Sequence, residues 1–218
     1  MPQFQYSCFI SYSHGEEELV KGFVAQFKAA LKGELETLID RKAFIDEDIP
    51  VGAIWEPKLA QALCHSVCMV LIYTPIYGQK DFCRREFEAM QQVEAWRQSL
   101  LPGAEPLGLI IPVVMRGFQR LPPPLGPRQA VDFSKFTLAD VQINHHPCFA
   151  EQVRKVAERI EAHFLQLQDL EDKACEHCQG FALPPAPPAS TWRAAVAATA
   201  LGAAPAADAG WAQPFVNR

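Results

Sequence analysis

The chain has 218 residues, 49% of them hydrophobic and 21% charged, with a formal net charge of −5. This composition can bury a core, which excludes a disordered chain, and its mild acidity gives no electrostatic reason to expect nucleic acid or an anionic membrane as a direct partner. MPQFQYSCFISYSHGEEE has neither a basic n-region nor a long apolar run, and no stretch reaches the roughly 18 apolar residues of a membrane span, so a soluble, cytoplasmic protein is expected.

In chain order, YSCFISY at 6–12 is a short apolar, β-rich run closed by Ser13, His14 and Gly15, which fits a buried strand. A helix is predicted next. Leu19, Val20, Phe23, Val24, Phe27 and Leu31 recur at three- and four-residue steps, and Glu16, Glu17 and Glu18 suit the positive end of its dipole. AFI at 43–45 is a second short strand that runs straight into the acids of FIDEDIP, 44–50. A helix over Trp55–Cys64 and a strand at 67–73, VCMVLIY, follow, the strand too apolar to be half exposed. Beyond turn residues 74–80, Asp81 is placed to cap a helix carrying Phe87, Met90, Val93 and Trp96. LGLIIPVVM at 107–115 is a fourth strand. Its Pro112 lacks an N–H and belongs at a bulge, a strand end or an unpaired side. AVDF at 130–133 is a weak fifth strand, and Phe149, Val153, Val156, Ile160, Phe164 and Leu167 mark a long final helix.

Alternating strands and helices predict an α/β fold, an open parallel five-stranded sheet with helices on both faces. The expected organisation is one domain over 1–168, a linker with a CxxC at 169–181, and an Ala/Pro-rich tail from 182 to 218 with no convincing periodicity, read as disordered. In that tail Trp192, Trp211 and Phe215 are the residues that could anchor a partner. Seven cysteines at irregular spacings are expected to be reduced thiols, with Cys64 and Cys68 as core thiols.

In such sheets ligands bind outside the carboxyl ends of the strands, where strand order reverses. That edge would gather Ser11, Tyr12 and Ser13, then Asp46, then Tyr73 and Thr74, with Glu86 looking back from the following helix. SYSHGEEE has a single glycine, so a dinucleotide fold of the GxGxxG type is excluded, and neither a Walker phosphate loop nor a GxSxG elbow occurs. A phospho-acceptor receiver site lacks its acidic pair after the first strand.

CFISYSH at 8–14, FIDEDIPVGAIW at 44–55 and CMVLIYTPIYGQKDFCRREFEAM at 68–90, in this order and spacing, resemble a Toll/interleukin-1 receptor (TIR) domain of the stand-alone bacterial kind over about residues 5–165. The resemblance implies a flavodoxin-like fold and one of two activities. Some members only assemble with other TIR domains; others cleave NAD+ at the nicotinamide–ribose bond, yielding ADP-ribose or a cyclic or conjugated derivative, in bacteria often for antiphage defence. Members that cleave NAD+ carry aromatic-C-x-x-E, here Phe82, Cys83, Arg84, Arg85 and Glu86, with Phe82 where tryptophan is usual.

On this resemblance Glu86 is the candidate catalytic carboxylate. Tyr12, Ser13, Asp46, Gly52, Ile54, Trp55 and Phe82 are candidate substrate contacts. Tyr12 fits a base or ribose pocket and equally a strand-end tyrosine closing the core; Trp55 fits helix-start packing better than ligand contact. Arg84 and Arg85 fit either phosphate contacts or a solvated helix face. NAD+ enters as substrate and no cofactor is implied. The implied partners are NAD+, other TIR domains by self-association, and a separate sensor or effector protein. The alternative function is a non-catalytic interaction module or a secreted effector imitating host TIR signalling. ACEHCQG at 174–180 offers zinc-ligand residue types, but without a matching second pair at a standard spacing no metal site is expected.

Overall fold

SVCMVLIY buries every one of its residues, and the sheet is built around it. The computed structural model describes residues 3–14, 18–44, 54–136 and 142–193. Among them, β1 (Tyr6–Tyr12), β2 (Ser66–Tyr73), β3 (Ile110–Val114) and β4 (Val131–Asp132) form a parallel sheet in the order β1-β2-β3-β4. The expected second strand at 43–45 is reduced, within the described residues, to one parallel bridge between Phe9 and Phe44. Phe44 donates its N–H to the Cys8 carbonyl at 2.8 Å and accepts from Ile10 N–H at 2.9 Å. Ile45 and the rest of FIDEDIP lie outside the described residues.

Pro112 shows how a central strand tolerates a missing donor. In a parallel strand successive residues present their backbone groups to alternate edges. The Leu109 carbonyl and the Met115 N–H both bond to β2, so Pro112, an odd number of positions from each, turns its nitrogen towards β4. There β4 pairs only with Val113 and Val114.

Four main helices cover the sheet: α1 (Glu18–Leu35), α2 (Trp55–Cys64), α3 (Asp81–Ser99) and α4 (Pro147–Leu167). α1 packs on α4, and α2 on α3. From β1 the chain reaches the Phe44 bridge on one edge through α1, then returns through α2 to β2 on the other. Right-handed crossovers in opposite directions put α1 and α2 on opposite faces. In the α1–α4 layer, Phe133 meets Phe23, Phe27 and Phe149 nearly edge-on, at 5.7, 5.6 and 5.5 Å between ring centroids. Asp81 does not cap α3 as expected. The cap position is Lys80, with no side-chain cap bond, and the Asp81 carboxylate instead pairs with Arg84 at 2.6 Å. Among the described residues no helix is long and apolar enough to cross a membrane.

After α4 the chain continues through short α5 (Glu171–Ala174) and a 3-10 turn at Glu176–Cys178, then returns along α2 and α3. Residues 182–193 were expected to be the start of a disordered tail. Instead Leu183 and Trp192 are buried against the domain, because apolar side chains spaced along a proline-rich segment find a groove already formed by α3. Residues 194–218 lie outside the described residues. The expectation of reduced thiols is corrected at one pair: Cys64, at the end of α2, is disulfide-bonded to Cys178. Their separation of 114 residues hides the pairing from spacing rules, since only the returning segment brings them together. Cys8, Cys68, Cys83, Cys148 and Cys175 are not disulfide-bonded.

Arg97 is fully buried and joins these parts. Its guanidinium donates to the carbonyls of Cys64 at 2.6 Å, Ser66 and Val67 at 2.8 Å, and Ala174 at 3.3 Å, while lying 4.7 Å over the Phe4 ring. Burial lowers its pKa to about 10, which still leaves it charged at neutral pH. Arg97→Met is expected to cost on the order of 3–5 kcal/mol in urea unfolding, because it leaves these buried carbonyls unpaired.

His163 on α4 is fully buried, with Gln166 and the Gly108 backbone near but neither closing a hydrogen bond to a ring nitrogen. Burial first, and the Arg159 charge second, lower its pKa to about 4. The unfolded chain therefore binds a proton below about pH 6.5 that the folded chain refuses until about pH 4. Stability should fall by about 3 kcal/mol across that window on acidification and stay flat above it. His163→Leu should remove this component of the pH dependence of the urea midpoint.

Candidate functional site

Strand addition reverses at β1, so the crevice between the carboxyl ends of β1 and β2 is the topological switch point of the sheet. Alternation along β1 decides what reaches it. Ser11 and Ser13 fall on one face, Tyr12 on the other. The Ser11 hydroxyl donates to the Glu86 carboxylate at 2.5 Å, and the Tyr77 hydroxyl lies 2.6 Å from Ser11 Oγ and 3.2 Å from the Cys83 carbonyl. With the Ser11 proton directed at Glu86, the single Tyr77 proton is shared between Ser11 Oγ and the Cys83 carbonyl. A chain of hydroxyls thus ends on the carboxylate, and each bond polarises the next.

Glu86 lies in the second turn of α3 and is 8% exposed. Tyr77 is fully buried, and burial pushes its pKa well above the ordinary phenol value, with the nearby Cys83 and Glu86 adding to the shift, so it remains a donor. Ser13 Oγ and Thr74 Oγ1, 3.3 Å apart, close the gap between the two strand ends. The Cys83 thiol donates to the Tyr12 carbonyl at 3.6 Å, fixing the start of α3 against β1.

Beside this polar chain is an aromatic corner. Trp55 meets Phe82 edge-on at 4.7 Å, Phe82 is 44% exposed, and Ile54 before it is 78% exposed. On the other side, Tyr12, Ser13 and His14 line a hollow of about 500 Å³ shared with Lys21, Lys28 and Lys32 of α1. A larger hollow of about 1030 Å³ opens between Gln91, Glu94, Arg128, Asp132 and Arg159, and none of the expected site residues lines it.

A family model for the TIR domain matches residues 8–146, well over half of the chain. The chain belongs to the TIR domain family. Among curated proteins no sequence match was found.

Of the residues expected from the TIR motifs, the fold brings Tyr12, Ser13 and Glu86 to one sheet edge and Trp55 and Phe82 to one corner. Asp46 and Gly52 lie outside the described residues. Neither arginine of the aromatic-C-x-x-E segment is solvated or open to phosphate. Arg84 is 5% exposed and donates to the carbonyls of Gly78 at 2.9 Å and Pro187 at 2.8 Å. Arg85 pairs with Glu56, donates to the Pro184 carbonyl at 2.8 Å, and lies 5.4 Å over the Phe82 ring.

Two features were missed. Tyr77 read in sequence as a turn residue, and Ser11, although expected at the sheet edge, was given no role towards Glu86. The segment 182–193 had no periodic signal at all. Trp192 of that segment rests on Tyr77 and Phe87, 5.4 and 4.9 Å between centroids, in a groove that exists because residue 78 is glycine. A Cβ at Gly78 would lie 2.5 Å from Trp192 Cβ. Gly78→Ala should therefore lift the segment and cost about 1–3 kcal/mol, with faster amide hydrogen exchange over 182–193. Gly33→Ala, where a Cβ meets nothing within 4 Å, should leave that exchange unchanged.

Proposed function

We propose that this TIR domain is an NAD+ nucleosidase, with Glu86 as its catalytic carboxylate. The observation that carries the reading is the position of Glu86 at the β1/β2 switch point, held by Ser11 at 2.5 Å with Tyr77 behind it. The reaction is NAD+ + H2O → ADP-ribose + nicotinamide + H+, or closure on an internal nucleophile of the same substrate in place of water. The bond from ribose C1′ to the nicotinamide nitrogen breaks, and its electron pair leaves with the ring. Nicotinamide departs neutral and needs no general acid, so a single carboxylate suffices.

Glu86 would accept from the ribose hydroxyls and stabilise the positive charge that develops at C1′, an interaction stronger in the transition state than in the bound substrate. The exposed face of Phe82 beside Trp55 offers an aromatic surface for a flat base. The three lysines along the hollow next to Tyr12 suit a diphosphate. Bacterial antiphage defence or immune signalling is the setting in which such an activity, coupled to a separate sensor or effector, would serve.

A second reading, a non-catalytic TIR–TIR interaction module or an effector imitating host signalling domains, draws on a different observation. Glu86 already has an internal partner and little exposure, whereas Ile54 stands open to contact. TIR domains commonly self-associate, and both readings accommodate assembly.

Purified chain at high concentration, incubated with NAD+, should release nicotinamide. Glu86→Gln, which keeps the shape and removes the charge, should lower that rate by at least about a hundredfold with the fold intact by circular dichroism. Equal release from both proteins would overturn the assignment to Glu86, and none from either under clustering conditions would support the second reading.

A further inference from the structure

Away from the sheet edge, the fold assembles a second group of reactive side chains. Cys64 and His65 end α2, while Cys175 and Cys178 flank the 3-10 turn of the returning segment. The ligand atoms of His65, Cys175 and Cys178 all lie within 4.8 Å of one another, and Cys64 is bonded to Cys178. The pair Cys64/His65 stands at no standard metal-site spacing from the CxxC of Cys175 and Cys178 in sequence. The second pair that a CxxC requires is supplied by the tertiary structure.

Three further observations fit a metal. The His65 Nδ1 lies 3.0 Å from the Gln3 carbonyl, which can only accept, so Nδ1 carries the proton and Nε2 keeps its lone pair. A backbone carbonyl on the far nitrogen is the usual support of a metal-bound histidine. Behind the sulfurs, buried Arg97 interacts with Cys175 and donates to the Cys64 and Ala174 carbonyls. Three thiolates and one neutral imidazole on a divalent ion leave a net charge of −1, which this guanidinium would balance. In front, Gln5, Gln61, His65, Glu176 and Gln179 line a hollow that gives access from solvent. His177 is engaged elsewhere, its ring tilted against Trp96 with centroids 4.2 Å apart.

We propose that Cys64, His65, Cys175 and Cys178 form a Zn2+ site in the reduced protein, and that the Cys64–Cys178 disulfide is the oxidised, metal-free state of the same site. Tetrahedral zinc with sulfur at about 2.3 Å and nitrogen at about 2.0 Å sets ligand atoms roughly 3.5–4 Å apart. In the oxidised chain the His65, Cys175 and Cys178 ligand atoms already lie within 4.8 Å of one another, and opening the disulfide would free the Cys64 sulfur beside them. Opening takes two electrons from a thiol reductant: two RSH become RSSR, and Cys64 and Cys178 become thiols. Zn2+ then displaces three thiol protons, from Cys64, Cys175 and Cys178, and takes the His65 lone pair. Both states tie the returning segment to α2, upstream of the stretch that engages Arg84, Arg85 and Gly78.

The full chain, reduced with dithiothreitol and freed of reductant and metal without oxygen, is titrated with Co2+. One equivalent should bind, with the intense visible bands of tetrahedral cobalt and a thiolate-to-cobalt charge-transfer band, and one equivalent of Zn2+ should bleach both. The oxidised chain should take up neither ion. Cys175→Ser and His65→Gln should each weaken binding by more than the roughly 10- to 100-fold that loss of an outer-shell partner costs, whereas Cys148→Ser, outside the cluster, should change nothing. Absence of a tetrahedral cobalt spectrum in the reduced wild-type chain would overturn the proposal without recourse to any variant. Equal uptake by the oxidised chain, or undiminished uptake by Cys175→Ser, would also overturn it.

Discussion

A single buried guanidinium holds the architecture together. Arg97 reaches from α3 to the carbonyls that end α2 and begin β2, and to the carbonyl of Ala174 before the returning segment turns. A charge this deep is tolerated only when its donors are matched by acceptors of the right geometry, and backbone carbonyls at element ends are the acceptors a fold has to spare. The cost of burying it is offset only when all three parts are in place. Arg97 thereby couples the start of the most buried strand to the segment that covers the start of α3.

The sheet edge follows a different logic. Where strand addition reverses at β1, side chains from β1, β2 and α3 converge without having to compete for core space. Polar groups occupy that crevice: Ser11, Ser13, Thr74, Tyr77 and Glu86, all buried or nearly so. A carboxylate this poorly hydrated needs donors, and Ser11, backed by Tyr77, supplies one. The returning segment lies along the same helix, where Arg84 and Arg85 are occupied by carbonyls of the chain's own 183–187 stretch and Trp192 rests on Tyr77. Access to the crevice and the seating of that stretch are therefore physically adjacent questions.

Much of this was legible in the residues alone. Continuous apolar runs at 6–12 and 67–73 and the spacing of Phe23, Phe27, Phe149 and Val153 specify strands and helices because burial on both faces, or on one stripe, admits few other solutions. Pro112 could be limited to a bulge, a strand end or an unpaired side before its neighbours were known, because it has no N–H to donate. Glu86 could be picked out because three ordered motifs surround it. The role of Asp81 was misjudged because an ion pair with Arg84 competes with capping, and spacing does not rank the two.

The sequence by itself determined the class of fold, the family, and the sheet edge to which Tyr12, Ser13 and Glu86 belong, since local periodicity and motif order are properties of neighbours in the chain. Only the tertiary structure decided which hydroxyl holds Glu86, that Trp192 fills the space over Gly78, and that Cys64 and His65 meet Cys175 and Cys178. Each of these is a contact between segments far apart in sequence. Such contacts depend on where the returning chain crosses α2 and α3, and no local pattern encodes that crossing.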